Sequence, residues 1–130
     1  MNLSSTHEPL LFVDLETTGA NFANDRIIEI GFVEVDQNGS SEWNSLVNPG
    51  RPVSDFITGL TGISTAMVSS APTFEQLAPV VLEKLRGHLF IAHNARFDYT
   101  FLKREFKHIG VDFRAPNLCT VKLSRKLFPQ

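Results

Sequence analysis

Three acidic residues of this 130-residue chain stand where acids are costly: Asp14 and Glu16 at the end of an apolar run, and Asp98 among aromatic and aliphatic neighbours. The first two lie in "FVDLETTG", residues 12–19. Alternation along an extended segment puts Leu10, Phe12, Asp14 and Glu16 on one face. Like charges that close repel, and burial worsens the repulsion. Hydration at the strand end relieves it; so does a shared divalent cation. Mg2+ takes oxygen ligands and suits one or two carboxylates with water and substrate phosphate. Asp98, in "HNARFDYTFL", precedes Phe101 and Leu102 by three and four residues, so it shares their face of a helix. An ionised carboxylate there needs a partner. A salt bridge to Arg96 or Arg104 is one option, although neither stands three or four residues away. A cation shared with Asp14 and Glu16 is the other.

The surrounding pattern supplies elements that bring these acids together. Pro9 to Glu16 reads as a buried strand, "TGANFAND" as a turn-rich loop, and Arg26 to Asp36, "RIIEIGFVEVD", as a second strand. Asn38-Gly39 is a hairpin signal leading into a third strand, Glu42 to Val47, so the first three strands form an antiparallel meander. Residues 55–70, with "ITGLTGIS", predict short helical turns. Thr73 to Gln76, "TFEQ", fits a capping box, and Phe74, Leu77, Val81, Leu82 and Leu85 recur at helical spacing. Pro79 predicts a kink or a later start, and Gly87 a stop. His88 to His93 reads as a fourth strand. Ala95 to Ile109 reads as a helix with Phe97, Phe101, Leu102, Phe106 and Ile109 on its apolar stripe, ended by Gly110. "NLCTV" predicts a fifth strand and "KLSRKLF" the start of a further helix. The order βββαβαβα specifies an α/β domain with a mixed sheet. The strand ending at His93 lies beside the central strand, which lets all three acids converge at one sheet edge.

Composition narrows the class. Hydrophobic residues make up 42%, enough for a core, and no apolar stretch approaches the roughly 18 residues of a membrane span. The N-terminus lacks the basic and apolar regions of a signal peptide, and Cys119 is the single cysteine, so no intrachain disulfide is possible. These features predict a cytoplasmic protein with no membrane partner. Net charge is −2, but residues 1–95 carry 4 Lys/Arg against 11 Asp/Glu, whereas residues 96–130 carry 8 against 3. That basic third could meet phosphates or form a solvated helix surface.

"FVDLETTG", "RIIEIGFVEV", "LTGIS" and "AHNARFDYTFL", in that order, resemble the DEDD exonucleases. Within them, the chain looks most like the proofreading epsilon-type subunits of bacterial DNA polymerase III and their relatives, some fused to an endonuclease domain. The resemblance runs from about Pro9 to the last residue. It implies a ribonuclease H-like fold that removes nucleotides from 3′ ends of DNA, single-stranded or frayed, or of RNA. It also implies two Mg2+ or Mn2+ ions, a role in replication or repair, and a polymerase subunit or fused endonuclease as partner. Asp14 would bridge the two metals, Glu16 would hold one, and Asp98 would bind directly or through water. Thr17 and Thr18 could donate to the terminal nucleotide, or be plain turn residues. Asn94 and Phe97 could contact sugar and base, with plain core as the alternative for Phe97.

One family feature is missing from these residues. The third motif places a His five residues before an Asp on a late helix, as general base and last metal ligand. After Asp98 the only histidine is His108, and Asp112 follows it by four residues with Gly110 between, so this pair does not match. His93 reads as a strand-end histidine rather than the base. The expectation is an N-terminal tail, residues 1–8, then the N-terminal portion of an exonuclease domain, residues 9–130, inactive as an isolated piece. An RNA-trimming enzyme, or a non-catalytic nucleic-acid-binding module on the same fold, are the alternatives.

Overall fold

The structure, a computed structural model, describes residues 9–114 and 117–119. Three strands open the domain: β1 (Leu10–Thr17), β2 (Ile27–Asp36) and β3 (Gly39–Leu46). They pair antiparallel as expected. The hairpin closes through Gln37 and Asn38, with Gly39 (φ 128°) as the first residue of β3, one position earlier than the Asn38-Gly39 signal suggests. Two short helices follow, α1 (Asp55–Thr61) and α2 (Thr65–Ser69). Ser54 and Ser64 cap them, and Gly62 turns the chain between them in the left-handed region that "LTGIS" needs a glycine for. Then come α3 (Phe74–Leu85), β4 (Leu89–Ala92), α4 (Ala95–His108) and β5 (Asn117–Cys119). β4 runs parallel to β1, and β5 parallel to β4, giving one mixed sheet in the order β3-β2-β1-β4-β5.

β1 is the central strand, but it is not buried on both faces. Leu11, Val13, Leu15 and Thr17 point into the core, whereas Phe12 and Asp14 are exposed on the other face. The core face is covered by α3 and α4, whose Phe74, Val81, Leu85, Phe101, Leu102 and Phe106 pack against it. The Thr73 capping box is present, with Thr73 Oγ1 accepting from the Gln76 N–H and Gln76 Oε1 from the Thr73 N–H. Pro79 does not delay the start, as one of the two expectations had it: α3 runs from Phe74 to Leu85 with Pro79 inside it. Both Pro79 and Glu75, whose carbonyl loses its partner, lie on the exposed side, where water replaces the missing bond.

β2 carries an irregularity beside the acids. Glu16 pairs with Glu29, yet Thr17 pairs with Ile27, so Ile28 is the extra residue of a bulge. The bulge lets consecutive isoleucines be fully buried in different places. Ile27 enters the main core; Ile28 enters a second cluster with Val53, Ile63 and Val68 beneath α1 and α2. No helix among the described residues is long and apolar enough to cross a membrane. The expected tail, residues 1–8, and the expected helix at "KLSRKLF" lie outside the described residues.

Candidate active site

The C-terminal end of β1 presents Asp14 and Glu16 on the same face, as their parity requires, with Asp14 exposed and Glu16 half-buried. Across the antiparallel pair Asp14 faces Gly31, and Glu16 faces Glu29. A fourth carboxylate is therefore part of this surface, one that the analysis of the sequence did not single out. Its signal was present as the one acid inside the apolar run Ile27 to Val33. The Glu16 carboxyl is held above the usual range, first by burial, then by the charges of Asp14 and Glu29.

α4 delivers Asp98 from its first turn, beside buried Ala95, Phe101 and Leu102. Asp98 is only 7% exposed. Burial is the larger cause, and repulsion from Asp14 and then Glu16 adds to it, so its carboxyl is pushed up to about 7. The three acids are thus close enough to sense one another's charge. No Lys, Arg or His among the described residues forms an ion pair with any of them, and neither Arg96 nor Arg104 serves Asp98. As placed, no three His, Cys, Asp or Glu side chains among the described residues are grouped tightly enough to enclose an ion. The donor chemistry fits a hard divalent cation all the same. Oxygen ligands of one sign come from a strand end and a helix start, and no ion pair among the described residues neutralises them.

The loop from β1 to β2 is tied down by its own polar groups. Thr17 Oγ1 donates to the Gly19 carbonyl (2.6 Å) and Thr18 Oγ1 to Asp25 Oδ1 (2.8 Å). The Arg26 N–H donates to Thr18 Oγ1, and the Asn21 N–H to Asp25 Oδ2. A Cβ at Gly19 would sit 2.5 Å from Asp25 Oδ2, so a side chain there would push the Asp25 carboxylate off its bonds to Thr18 and Asn21. Both threonine hydroxyl protons are engaged within the loop, and the Thr18 N–H bonds the Arg26 carbonyl. Here the turn role of Thr17 and Thr18 is the visible one.

Asn94 is the exposed N-cap of α4, and its side chain makes no capping bond. Its carbonyl accepts from the Phe97 and Asp98 N–H groups. Phe97 is half-buried and packs against Phe101 (4.8 Å between centroids) and Phe22 (5.8 Å). Phe22, from the β1–β2 loop, is a second residue the sequence reading passed over; nothing local marks it as a neighbour of α4. On the open sheet face, Asp14 and the exposed His93 line one cavity of about 410 Å³, with Phe12, Val33 and Ile91 as its apolar walls.

Comparison with known proteins agrees with this arrangement. The sequence model of the family described as Exonuclease matches residues 11–130. A PolC-type DNA polymerase III from Caldanaerobacter subterraneus subsp. tengcongensis is 43% identical over 116 residues, 88% of this chain and 8% of that protein. The DNA polymerase III subunit epsilon of Aquifex aeolicus is 36% identical over 119 residues, 90% of this chain and 59% of that subunit. Among solved structures, Exonuclease X in complex with 5′ overhanging duplex DNA superposes with a TM-score of 0.72 at 30% identity, covering 92% of this chain and 64% of the other. The chain thus spans less than two thirds of each of these proteins.

Proposed function

The chain belongs to the Exonuclease family, and from that premise we propose that it is the nuclease domain of a 3′→5′ exonuclease acting on DNA, with Asp14, Glu16 and Asp98 as ligands of two Mg2+ or Mn2+ ions. Exonucleases of this family use divalent metal ions. One observation carries the reading: Asp98 is a buried acid with no ion-pair partner among the described residues, set against two more carboxylates. A fold gains nothing from that arrangement unless a cation completes it. When bound, such ions supply positive charge to the phosphodiester and lower the pKa of the attacking water.

The chain's own residues divide the remaining work. Asp14, the most exposed of the three, is the one open to two ions at once. Glu16 and Asp98 flank it from the strand and the helix. Asp98, protonated near neutrality without metal, must release its proton for binding, so affinity falls as pH drops below about 7. Phe97 and Phe22 form an aromatic pair at the edge of the acids on which a terminal base can stack. Asn94 has a side-chain amide left over from capping to offer a sugar hydroxyl. Thr17, which is buried, and Thr18 shape the turn that follows Glu16, and the half-buried Thr18 is the one of the two with surface left for the terminal nucleotide. DNA, rather than RNA, is the substrate we favour, because the relatives are DNA polymerase subunits and Exonuclease X is bound to duplex DNA. A DNA polymerase, as a separate subunit or in the same chain, is the corresponding partner.

The decisive experiment uses an oligonucleotide labelled at its 5′ end, with Mg2+ or Mn2+, and follows stepwise shortening from the 3′ end. In a protein that carries this chain together with a His–Asp pair of the family spacing, Asp14→Ala should abolish shortening and leave circular dichroism unchanged. Near-normal hydrolysis by a folded Asp14→Ala protein sinks the reading. The 130-residue chain alone should be slow, because general-base catalysis contributes about 10²–10⁴-fold and no His–Asp pair of the family spacing follows Asp98. If it is active, His93→Ala should remove that activity, since His93 shares the cavity of Asp14.

A further inference from the structure

We propose that the ion pair between Arg26 and Glu105 is a positioning clamp for the acidic site, locking α4 against the start of β2 so that Asp98 stays level with Asp14 and Glu16. The inference rests on the reading of those three acids as one metal site.

Glu105 is 3% exposed, yet it is fully served. Arg26 Nε donates to both of its oxygens at 3.0 Å, and Arg26 Nη2 donates to Oε1 at 2.6 Å. The Ile27 N–H donates to Oε2 at 3.0 Å. A forked guanidinium and a backbone amide thus meet one buried carboxylate, a geometry that tolerates little sliding. Among the described residues, the packing of α4 onto the core is otherwise made by Phe101, Leu102 and Phe106, and apolar contact has no preferred direction along the helix axis. The polar clamp therefore sets the axial position.

That position matters because Asp98 rides on the same buried face, seven residues and two turns from Glu105, about 10 Å along the axis. The other end of the clamp is tied to β1. Arg26 follows Asp25, and the Arg26 N–H bonds Thr18 Oγ1, which itself donates to Asp25. A continuous run of hydrogen bonds therefore links the residues just after Glu16 to the helix that carries Asp98. Positioning of this kind is worth having only if the two must be held at a set separation, as ligands of shared ions are.

The test compares the 130-residue chain with Glu105→Gln and Arg26→Lys, and with Glu34→Gln as control. Glu34 pairs with His88 away from the acids, so it reports what loss of an unrelated ion pair does. Mn2+ binding is read by electron paramagnetic resonance, and amide hydrogen exchange is read without metal. Glu105→Gln should weaken Mn2+ binding about tenfold, the low end for groups that orient metal ligands. Arg26→Lys, which keeps the charge but loses the fork, should fall between it and wild type. Exchange at the Phe97 and Asp98 amides, at the far end of α4 from Glu105, should quicken in both. Glu34→Gln should change neither reading. Wild-type Mn2+ affinity in a folded Glu105→Gln protein overturns the clamp; if that variant does not fold, wild-type affinity in Arg26→Lys does so. If the wild-type chain binds no Mn2+, the metal site itself fails. Exchange then decides the clamp: quickening confined to residues 105–109 overturns it, and quickening that reaches Asp98 supports it.

Discussion

Helix α4 buries two acids on one face, and they are treated in opposite ways. Glu105 receives a guanidinium and a backbone amide. Asp98, two turns earlier, receives no ion pair among the described residues and faces two other carboxylates. Both are nearly inaccessible, at 3% and 7%. Burial alone therefore does not distinguish a structural acid from a functional one; the completeness of its partners does. Glu105 is satisfied by the fold, whereas among the described residues Asp98 meets no counter-charge.

The sharpest way to break this contrast is to remove each acid and compare stability. Glu105→Ala strands the Ile27 N–H in the core and leaves Arg26 without its counter-charge. We expect a loss of about 3 kcal/mol, measured by urea unfolding without metal. Asp98→Asn should do the reverse, raising metal-free stability at pH 8 by about 2 kcal/mol while destroying metal-dependent hydrolysis. If Asp98→Asn destabilises the metal-free protein, Asp98 has a structural partner and the comparison fails.

The pH dependence sharpens the same point. Burial, with the charges of Asp14 and Glu16, pushes the folded-state carboxyl of Asp98 up to about 7 from an ordinary value of 3.8. Folding therefore takes up a proton between those values. Its unfavourable contribution is absent below about pH 4 and complete above about pH 7, so wild-type stability should fall as pH rises through that window. Asp98→Asn should flatten the fall, and saturating Mn2+ should oppose it at pH 8. Chemical unfolding at several pH values, with and without Mn2+, measures all of this. The smallest effect belongs to Glu16→Gln. Its carboxyl is raised for similar reasons but is more accessible, so we expect a gain of a few tenths of a kcal/mol, about the limit of the method.

Features governed by near neighbours were legible in the chain itself. The parity of Asp14 and Glu16, the Thr73–Gln76 capping box and the stop at Gly110 (φ 82°) depend on residues two to four apart. So does the placement of Asp98 beside Phe101 and Leu102. The three acids at one sheet edge followed from strand order, which short connections constrain strongly. Pro79 does not delay the start of α3, because it lies on the exposed side, where water can take the lost bond. β1 read as a buried strand because its solvent-facing Phe12 is as apolar as its core residues.

By itself, then, the order of residues determined which acids exist, which face each occupies and which family they mark, since alternation and helical spacing are set by local backbone geometry. Only the tertiary structure decided which acids have partners. Arg26 meets Glu105 across 79 residues, Glu29 comes opposite Glu16 through strand register, and a bulge at Ile28 shifts that register just beyond them. Such pairings arise when separate elements pack, and charge interactions act through space rather than along the chain. Among the described residues Asp98 is left without an ion-pair partner for the same reason: the packing that buries it brings up the carboxylates of β1.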